Sequence, residues 1–198
     1  MANDPALAEL KIVVAGPMGA GKTTLVGALS DTEVVRTEAA SSEAMPGKDT
    51  TTVAMDYGRR CIQEGLEVAF YGTPGQDRFD FMWRILARNA FGVIMMVSAD
   101  AADAEEELDR FLATYEELLG GVPTVIAVTR VDLAPEAFDR LSASAGACYP
   151  TIPVLPIDPR QTDSAVLTVE ALLAQVDSEG SEVLDRLQRQ EAMIFRVA

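Results

Sequence analysis

Apolar stretches and helix-like segments alternate along most of this chain. Residues 10–15 (LKIVVA) form a compact apolar run that predicts a buried strand, and residues 22–29 predict the helix that follows it. Three further strand–helix pairs are predicted at 91–97 and 101–119, at 122–128 and 135–145, and at 152–157 and 165–176. This alternation predicts an α/β fold in three layers, with helices on both faces of a mainly parallel sheet.

The first half of the chain departs from the alternation. Residues 52–62 and 66–71 flank a Gln-Glu-Gly break, which predicts a hairpin of two antiparallel strands. The polar residues 30–51 predict a long exposed loop, and such a loop in a compact domain is usually functional or disordered. Residues 78–89 predict a helix with one apolar face.

One domain is expected over residues 9–198, because no internal repeat or second domain is visible in the pattern. A short mobile arm is expected at residues 1–8. A helical extension is expected from about residue 180, with its helix at 182–192; it is either a packing helix or a partner-binding segment.

Composition removes several classes of function. The formal net charge of −15 would repel phosphate backbones, so nucleic-acid binding is not expected. The chain has no histidine, which excludes histidine catalysis and histidine-ligated metals. No apolar run is long enough to span a bilayer and no secretory signal is visible. A cytoplasmic protein without integral membrane association is therefore expected.

A glycine-rich segment joins the first predicted strand to the first predicted helix. Its sequence, GPMGAGKT, fits the P-loop pattern G-x-x-x-x-G-K-[ST], in which glycines let successive backbone N–H groups curl around phosphates. Lys22 would reach the β- and γ-phosphates, and Thr23 would offer its hydroxyl to Mg²⁺. The nucleotide-contacting residues predicted in this segment are Gly16, Met18, Gly19, Ala20, Gly21, Lys22, Thr23 and Thr24.

Two further signals follow predicted strands. Asp132, in TRVD after the strand at 122–128, is placed to accept two hydrogen bonds from guanine that adenine does not offer; alternatively it caps the next turn. In GTPGQ, Gly75 would bring a backbone N–H to the γ-phosphate, and Gln76 would orient a hydrolytic water; alternatively Gln76 is an ordinary surface residue.

Together these motifs are similar to those of small Ras-like GTPases over roughly residues 9–177. Three segments look like the bacterial small GTPases encoded beside Roadblock/LC7 proteins, including the conservon type: KIVVAGPMGAGKTT, TTTVAMDYG and FYGTPGQDRF. The resemblance implies a P-loop NTPase fold with a six-stranded sheet and one antiparallel edge strand. It also implies GTP/GDP cycling with Mg²⁺ and a Roadblock/LC7-type regulatory partner, while the effector stays unknown.

The resemblance assigns roles by position. It makes Lys22, Thr52 and Gln76 catalytic, and Thr23 and Thr52 ligands of the metal, with Thr51 as an alternative to Thr52. The residues it assigns to the nucleotide outside the phosphate loop are Gly75, Thr129, Arg130, Asp132 and, in the poorly matching segment Ile-Asp-Pro, Asp158.

The chain also departs from the family pattern. Gly72 stands where the family has an acidic residue that holds Mg²⁺ through water, which puts metal affinity and hydrolysis in doubt; Asp100 is a candidate substitute. Arg130 replaces the usual lysine beneath the base. No arginine finger is evident, although Arg36 and Arg78 are candidates.

Three functional hypotheses remain. The first is a GTP-hydrolysing molecular switch with slow intrinsic turnover. The second is a nucleotide-holding scaffold that hardly hydrolyses, which Gly72 favours and Gln76 opposes. The third is a P-loop ATPase or small-molecule kinase, which Asp132 opposes.

Overall fold

The computed structural model describes residues 8–41, 51–63, 66–75, 86, 89–119 and 121–179. Strands in these ranges are β1 (Ala8–Ala15), β2 (Val35–Ser41), β3 (Thr51–Gln63), β4 (Leu66–Gly72), β5 (Gly92–Ser98), β6 (Thr124–Thr129) and β7 (Val154–Ile157). Helices are α1 (Lys22–Leu29), α2 (Ala104–Leu119), α3 (Pro135–Cys148) and α4 (Thr162–Glu179).

The strands form one sheet with the order β2-β3-β4-β1-β5-β6-β7. Every pairing from β4 to β7 is parallel, whereas β3 runs antiparallel to both of its neighbours. The predicted α/β P-loop NTPase fold, with a mainly parallel sheet and an antiparallel strand toward one edge, is confirmed. The sheet has seven strands rather than six, because β2 is added outside β3.

The prediction of an exposed loop over residues 30–51 is wrong for Val35–Ser41, which form β2. The long strand β3 pairs with β2 through Thr51–Tyr57 and with β4 from Asp56 onward. A strand edge with unpaired N–H and C=O groups can recruit a further strand through the main chain alone. The sequence of β2, VRTEAAS, lacks apolar alternation and so gave no strand signal.

Most other predicted elements are confirmed, with shifts at their ends. The helix over residues 22–29 has the predicted bounds, and the hairpin of β3 and β4 is antiparallel as expected. Helix α2 begins at Ala104 rather than at residue 101, because two turn hydrogen bonds, from Ala101 to Ser98 and from Ala104 to Ala101, precede it.

Helices on both faces bury the central strands. Every residue of β5 and β6 is buried. One face packs against α1 and α4 through side chains such as Leu25 and Leu172. The other packs against α2 and α3 through Leu108 and Leu141. Ligands of such a sheet bind in the loops at the carboxyl ends of its strands, which the helices leave open.

Several predictions lie wholly or partly outside the described residues. They concern the arm up to residue 7, the extension from residue 180 and most of the helix predicted at 78–89. In that last segment Leu86 is helical and buried. Among the helices that the structure describes, none is long and apolar enough to cross a membrane.

Candidate functional site

The phosphate loop lies between the end of β1 and the start of α1. Gly16, Gly19 and Gly21 have positive φ angles of 138°, 84° and 99°. A Cβ at Gly16 would lie 2.1 Å from the carbonyl oxygen of Met96, so that position requires glycine. The glycines thus provide the backbone curl that the P-loop pattern predicts.

Lys22 is folded back into this loop. Its side chain is 8% exposed, and its Nζ donates to the carbonyl oxygens of Gly16 at 2.8 Å and Pro17 at 2.6 Å. Burial lowers the pKa of Lys22 to about 8, although the negative charge of Asp56 partly offsets that effect. A buried cation at the N-terminus of α1 is suited to binding an anionic phosphate chain.

The remaining residues of the P-loop motif differ in their exposure to solvent. The side chain of Met18 is 77% exposed, whereas Ala20 is buried. Thr23 and Thr24 lie exposed in the first turn of α1. The hydroxyl of Thr23 donates a hydrogen bond to Oδ2 of Asp56, a residue of β3.

Gly75 lies against the phosphate loop. A Cβ at Gly75 would lie 2.5 Å from the backbone nitrogen of Met18 and 2.7 Å from Nζ of Lys22. The segment that carries Gly75 is anchored at its start, where the N–H of Thr73 donates to the carbonyl oxygen of Val14 at 2.8 Å. The Gly75 backbone is therefore beside the groups expected to hold a γ-phosphate.

Two residues assigned to catalysis are not placed at this site. Gln76 lies outside the described residues. The backbone of Thr52 pairs with Ala40 in the ladder of β2 and β3, while its side chain lies outside the described part of the structure. Their catalytic roles stay predictions.

Thr129 ends β6 and connects it to the phosphate loop. Its buried hydroxyl is within hydrogen-bonding distance of the carbonyl oxygens of Ala20, at 3.1 Å, and Val97, at 3.3 Å. This hydroxyl is therefore engaged with the backbone. Thr129 fixes the position of the next residues rather than offering its side chain to a base.

Arg130 follows in a left-handed backbone conformation with φ of 54°. Its guanidinium lies 3.3 Å from both carboxylate oxygens of Asp100 and 3.4 Å from the carbonyl oxygen of Gly19. Asp100 also accepts a hydrogen bond from Ser98 at 2.6 Å, and these bonds hold its pKa below the ordinary value. The expectation that Asp100 replaces the missing carboxylate at Gly72 stays a prediction, and in the structure Ser98 and Arg130 engage this side chain.

Asp132 and Asp158 lie in the loops after β6 and β7. Asp132 is exposed, and its charge contributes, after that of Asp158, to raising the pKa of Arg160. Asp158 accepts two hydrogen bonds from the Arg160 guanidinium at 2.8 Å, which hold the pKa of Asp158 well below its usual range. Pro159 lies 3.2 Å from where a Cβ of Gly21 would be, so this loop borders the phosphate loop.

Sequence comparison connects this arrangement to known proteins. A family model described as "conserved hypothetical ATP binding protein" matches residues 31–147, which is more than half of the chain. The chain belongs to this family. The matched part begins after α1 and includes Asp56, Gly72 and the segment from Thr129 to Asp132.

Three individual proteins are also similar in sequence to this chain. An uncharacterized protein of Methanocaldococcus jannaschii is 32% identical over 63% of this chain and 72% of its own length. Intraflagellar transport protein 22 of Chlamydomonas reinhardtii is 27% identical over 54% of each chain. The human Ras-related protein Rab-40A-like is 30% identical over 63% of this chain and 42% of its own.

The chain thus spans nearly three quarters of the archaeal relative, but about half or less of the other two. The phosphate loop and the match to an ATP-binding family together make this chain a P-loop nucleotide-binding protein.

The residues of this site fit a Mg²⁺ ion shared with a nucleotide. No group of three or more acidic or cysteine side chains among the described residues would hold a metal alone. Mg²⁺ in nucleotide sites uses one or two protein groups, with phosphates and water as its other ligands. The Thr23 hydroxyl and the Asp56 carboxylate are in contact and provide such groups. Thr73 adds a buried hydroxyl without a hydrogen-bond partner in the described part of the chain.

Sequence reasoning missed Asp56 as a member of this site. No local sequence pattern connects Asp56 of β3 with Thr23, which lies 33 positions earlier in the first turn of α1. The available signal was the hairpin register, which sets Asp56 opposite Gly72.

Proposed function

We propose that this protein is a guanine-nucleotide switch that binds GTP and GDP with Mg²⁺ and slowly hydrolyses GTP to GDP. The observation that carries the proposal is the connection between two loops. The segment from Thr129 to Asp132 is tied to the phosphate loop by the bonds of Thr129 to Ala20 and of Arg130 to Gly19. One ligand that presents phosphates to one loop and a base to the other would account for this arrangement.

Guanine is the base that Asp132 favours. Its exposed carboxylate would accept hydrogen bonds from the ring N–H and the exocyclic amine of guanine, neither of which adenine presents at those positions. Arg130, held across the loop by Asp100, offers its planar guanidinium and side-chain stem for packing on the base.

Adenine is the alternative, and the description of the matched family as ATP binding favours it. If the base is adenine, it would offer the Asp132 carboxylate no hydrogen-bond donor. Identifying the nucleotide that co-purifies with the chain tests the proposal: GDP or GTP supports it, and ADP or ATP contradicts it.

At the phosphate end, Lys22 and the backbone of the glycine loop would hold the β- and γ-phosphates. Thr23 would coordinate Mg²⁺, and the ion would screen the charge that develops on the phosphates. Gly75, already against Lys22 and Met18, would place its N–H at the γ-phosphate, which GDP lacks. That contact supports a GTP-dependent position of the segment that follows.

Slow hydrolysis is proposed from the resemblance, with Gln76 orienting water and Thr52 contacting the metal and γ-phosphate. The competing scaffold function predicts no phosphate release. Single-turnover hydrolysis of GTP by the wild type and by Gln76→Leu separates the two. Phosphate release by the wild type, with release at least about tenfold slower in the variant, supports hydrolysis. About tenfold is the effect expected when one contact to the transition state is lost. No release from either supports the scaffold.

The proposed partner is a Roadblock/LC7-type regulatory protein, and the proposed location is the cytoplasm. Both rest on the sequence resemblance and composition alone. Co-purification of the GTP-loaded chain with such a protein, compared with the GDP-loaded chain, tests the partner. Preferential capture by the GTP form supports it, and equal or absent capture contradicts a switch that acts through it.

A further inference from the structure

The missing acidic residue at Gly72 has a counterpart on the neighbouring strand. In the antiparallel ladder of β3 and β4, Asp56 is the residue paired with Gly72. Residues directly opposite each other in such a ladder project to the same face. The carboxylate of Asp56 therefore extends from β3, the strand next to β4, where Gly72 occupies the position of the family's usual acidic residue.

The space that a side chain at Gly72 would use is already taken. A Cβ at Gly72 would lie 3.0 Å from Cβ of Asp56 and 3.4 Å from its Oδ2. Val26 of α1 bounds the same space, with its Cγ2 3.5 Å from that Cβ position. Gly72 and Asp56 are thus sterically complementary: one lacks a side chain where the other projects a carboxylate.

That carboxylate also faces the phosphate loop. Thr23, whose hydroxyl is the loop's candidate metal ligand, donates a hydrogen bond to Oδ2 of Asp56. Burial lowers the pKa of Lys22, and the negative charge of Asp56 partly offsets this by raising it. Asp56 therefore lies among the groups that would bind Mg²⁺ and the terminal phosphates.

We propose that Asp56 supplies from β3 the carboxylate that Ras-like proteins carry at the position of Gly72, and that it helps Thr23 to hold Mg²⁺. This inference rests on the proposed nucleotide function. Direct contact or contact through a metal-bound water would both serve, because Mg²⁺ in such sites keeps several waters. With a carboxylate supplied by Asp56, Gly72 no longer favours a nucleotide-holding scaffold that hardly hydrolyses.

The test measures how Mg²⁺ slows the release of a fluorescent GDP analogue, so it does not depend on hydrolysis. The Mg²⁺ concentration that gives half of the slowing is determined for the wild type and for Asp56→Asn, which keeps the shape and removes the charge. We expect the variant to need about 10–100-fold more Mg²⁺, the usual cost of losing a group that supports a metal. Asp139→Asn, an exposed acidic residue of α3, is the matched control and should leave the midpoint unchanged.

A second variant moves the carboxylate across the ladder. Asp56→Gly opens the space beside Gly72, because it removes the Cβ that lies 3.0 Å from the position of a Cβ at Gly72, and adding Gly72→Asp returns a carboxylate from β4. The double variant should recover at least part of the Mg²⁺ sensitivity that Asp56→Gly loses, and it decides the matter if melting curves show that Asp56→Asn is unfolded.

The outcomes separate this inference from the proposed function. A wild type that binds no guanine nucleotide overturns both. If the wild type responds to Mg²⁺, two results would overturn the role of Asp56 alone. One is a folded Asp56→Asn variant with an unchanged midpoint, and the other is a double variant no more sensitive to Mg²⁺ than Asp56→Gly.

Discussion

The hydroxyl of Thr129 lies 3.1 Å from the carbonyl oxygen of Ala20, which precedes it in the chain by 109 positions. Both residues are buried, with exposures of 2% and 1%, so this polar contact is shielded from water. It fixes the loop after β6 to the phosphate loop after β1. Base recognition and phosphate binding are therefore expected to depend on each other in this protein.

Replacing Thr129 by Val removes this hydroxyl and keeps the shape of the side chain. The free energy of unfolding should fall by about 1–3 kcal/mol, because a buried carbonyl loses a hydrogen bond. GDP affinity should fall by up to about tenfold as the two loops lose their connection. Denaturant unfolding and GDP titration measure the two effects.

Thr168→Val is the matched control, since Thr168 is also buried and donates within α4 to the carbonyl oxygen of Ala165 at 2.6 Å. It should lose stability without losing GDP affinity. Equal losses of GDP affinity in both variants would show that the Thr129 contact has no special role.

Lys22→Met should reduce GDP affinity by about 10–100-fold, the effect expected when a charged hydrogen-bond donor to a phosphate is lost. Lys11→Met removes the same charge from the middle of β1, outside the phosphate loop, and it should leave GDP affinity unchanged. Calorimetric titration of both variants provides the comparison. Retention of full affinity by Lys22→Met would mean that the loop does not bind phosphate as described.

Gly75→Ala should lower the affinity for GTP more than that for GDP, because an added Cβ would lie 2.5 Å from the Met18 nitrogen and push Gly75 away from the phosphate loop. The GTP-to-GDP affinity ratio should fall by about tenfold, the equivalent of about one hydrogen bond. Gly146→Ala, where a Cβ meets no atom within 4 Å, should leave the ratio unchanged and raise stability by about 0.5–1 kcal/mol. An unaltered ratio in Gly75→Ala would contradict the γ-phosphate contact.

Tyr71 should make stability sensitive to alkaline pH. Burial first, and then the negative charge of Glu9, raises the pKa of Tyr71 to about 12. The folded protein holds this proton more tightly, so the contribution to stability is complete below about pH 10, the pKa of an unfolded tyrosine, and is lost as the pH rises toward 12.

Melting temperatures of the wild type should therefore decrease more steeply above about pH 10 than those of Tyr71→Phe. Phenolate absorbance recorded in the same solutions reports the titration itself. Parallel decreases in the two proteins would show that Tyr71 titrates as it does in the unfolded chain.

The phosphate loop and its helix could be predicted because their signals are local. The glycines of GPMGAGKT are required by backbone angles within that segment, and α1 has the predicted bounds of 22–29. The alternation of apolar strands with helices was also predictable, since β5 and β6 are buried at every position and are apolar except for Ser98, Thr124 and Thr129 at their ends.

Features that depend on pairing between distant segments could not be predicted in this way. Strand β2 is polar and forms through main-chain bonds to β3, so its side chains carry no periodic signal. The place of Asp56 beside Thr23 follows from the β3–β4 register, which fixes which residue lies opposite Gly72. The engagement of Asp100 by Arg130 likewise depends on a loop conformation with a positive φ.

The central claim is that the loop from Thr129 to Asp132 reads guanine, and one competition measurement tests it most directly. The affinities of GDP, ADP and xanthosine diphosphate (XDP) are measured by competition with a fluorescent nucleotide for the wild type and for Asp132→Asn. The wild type should prefer GDP over ADP by at least about a hundredfold, because Asp132 pairs with donors that adenine lacks. Asp132→Asn offers an amide donor to the additional carbonyl of xanthine and should prefer XDP over GDP. A wild type that prefers ADP, or a variant that keeps the preference for GDP, would contradict the account.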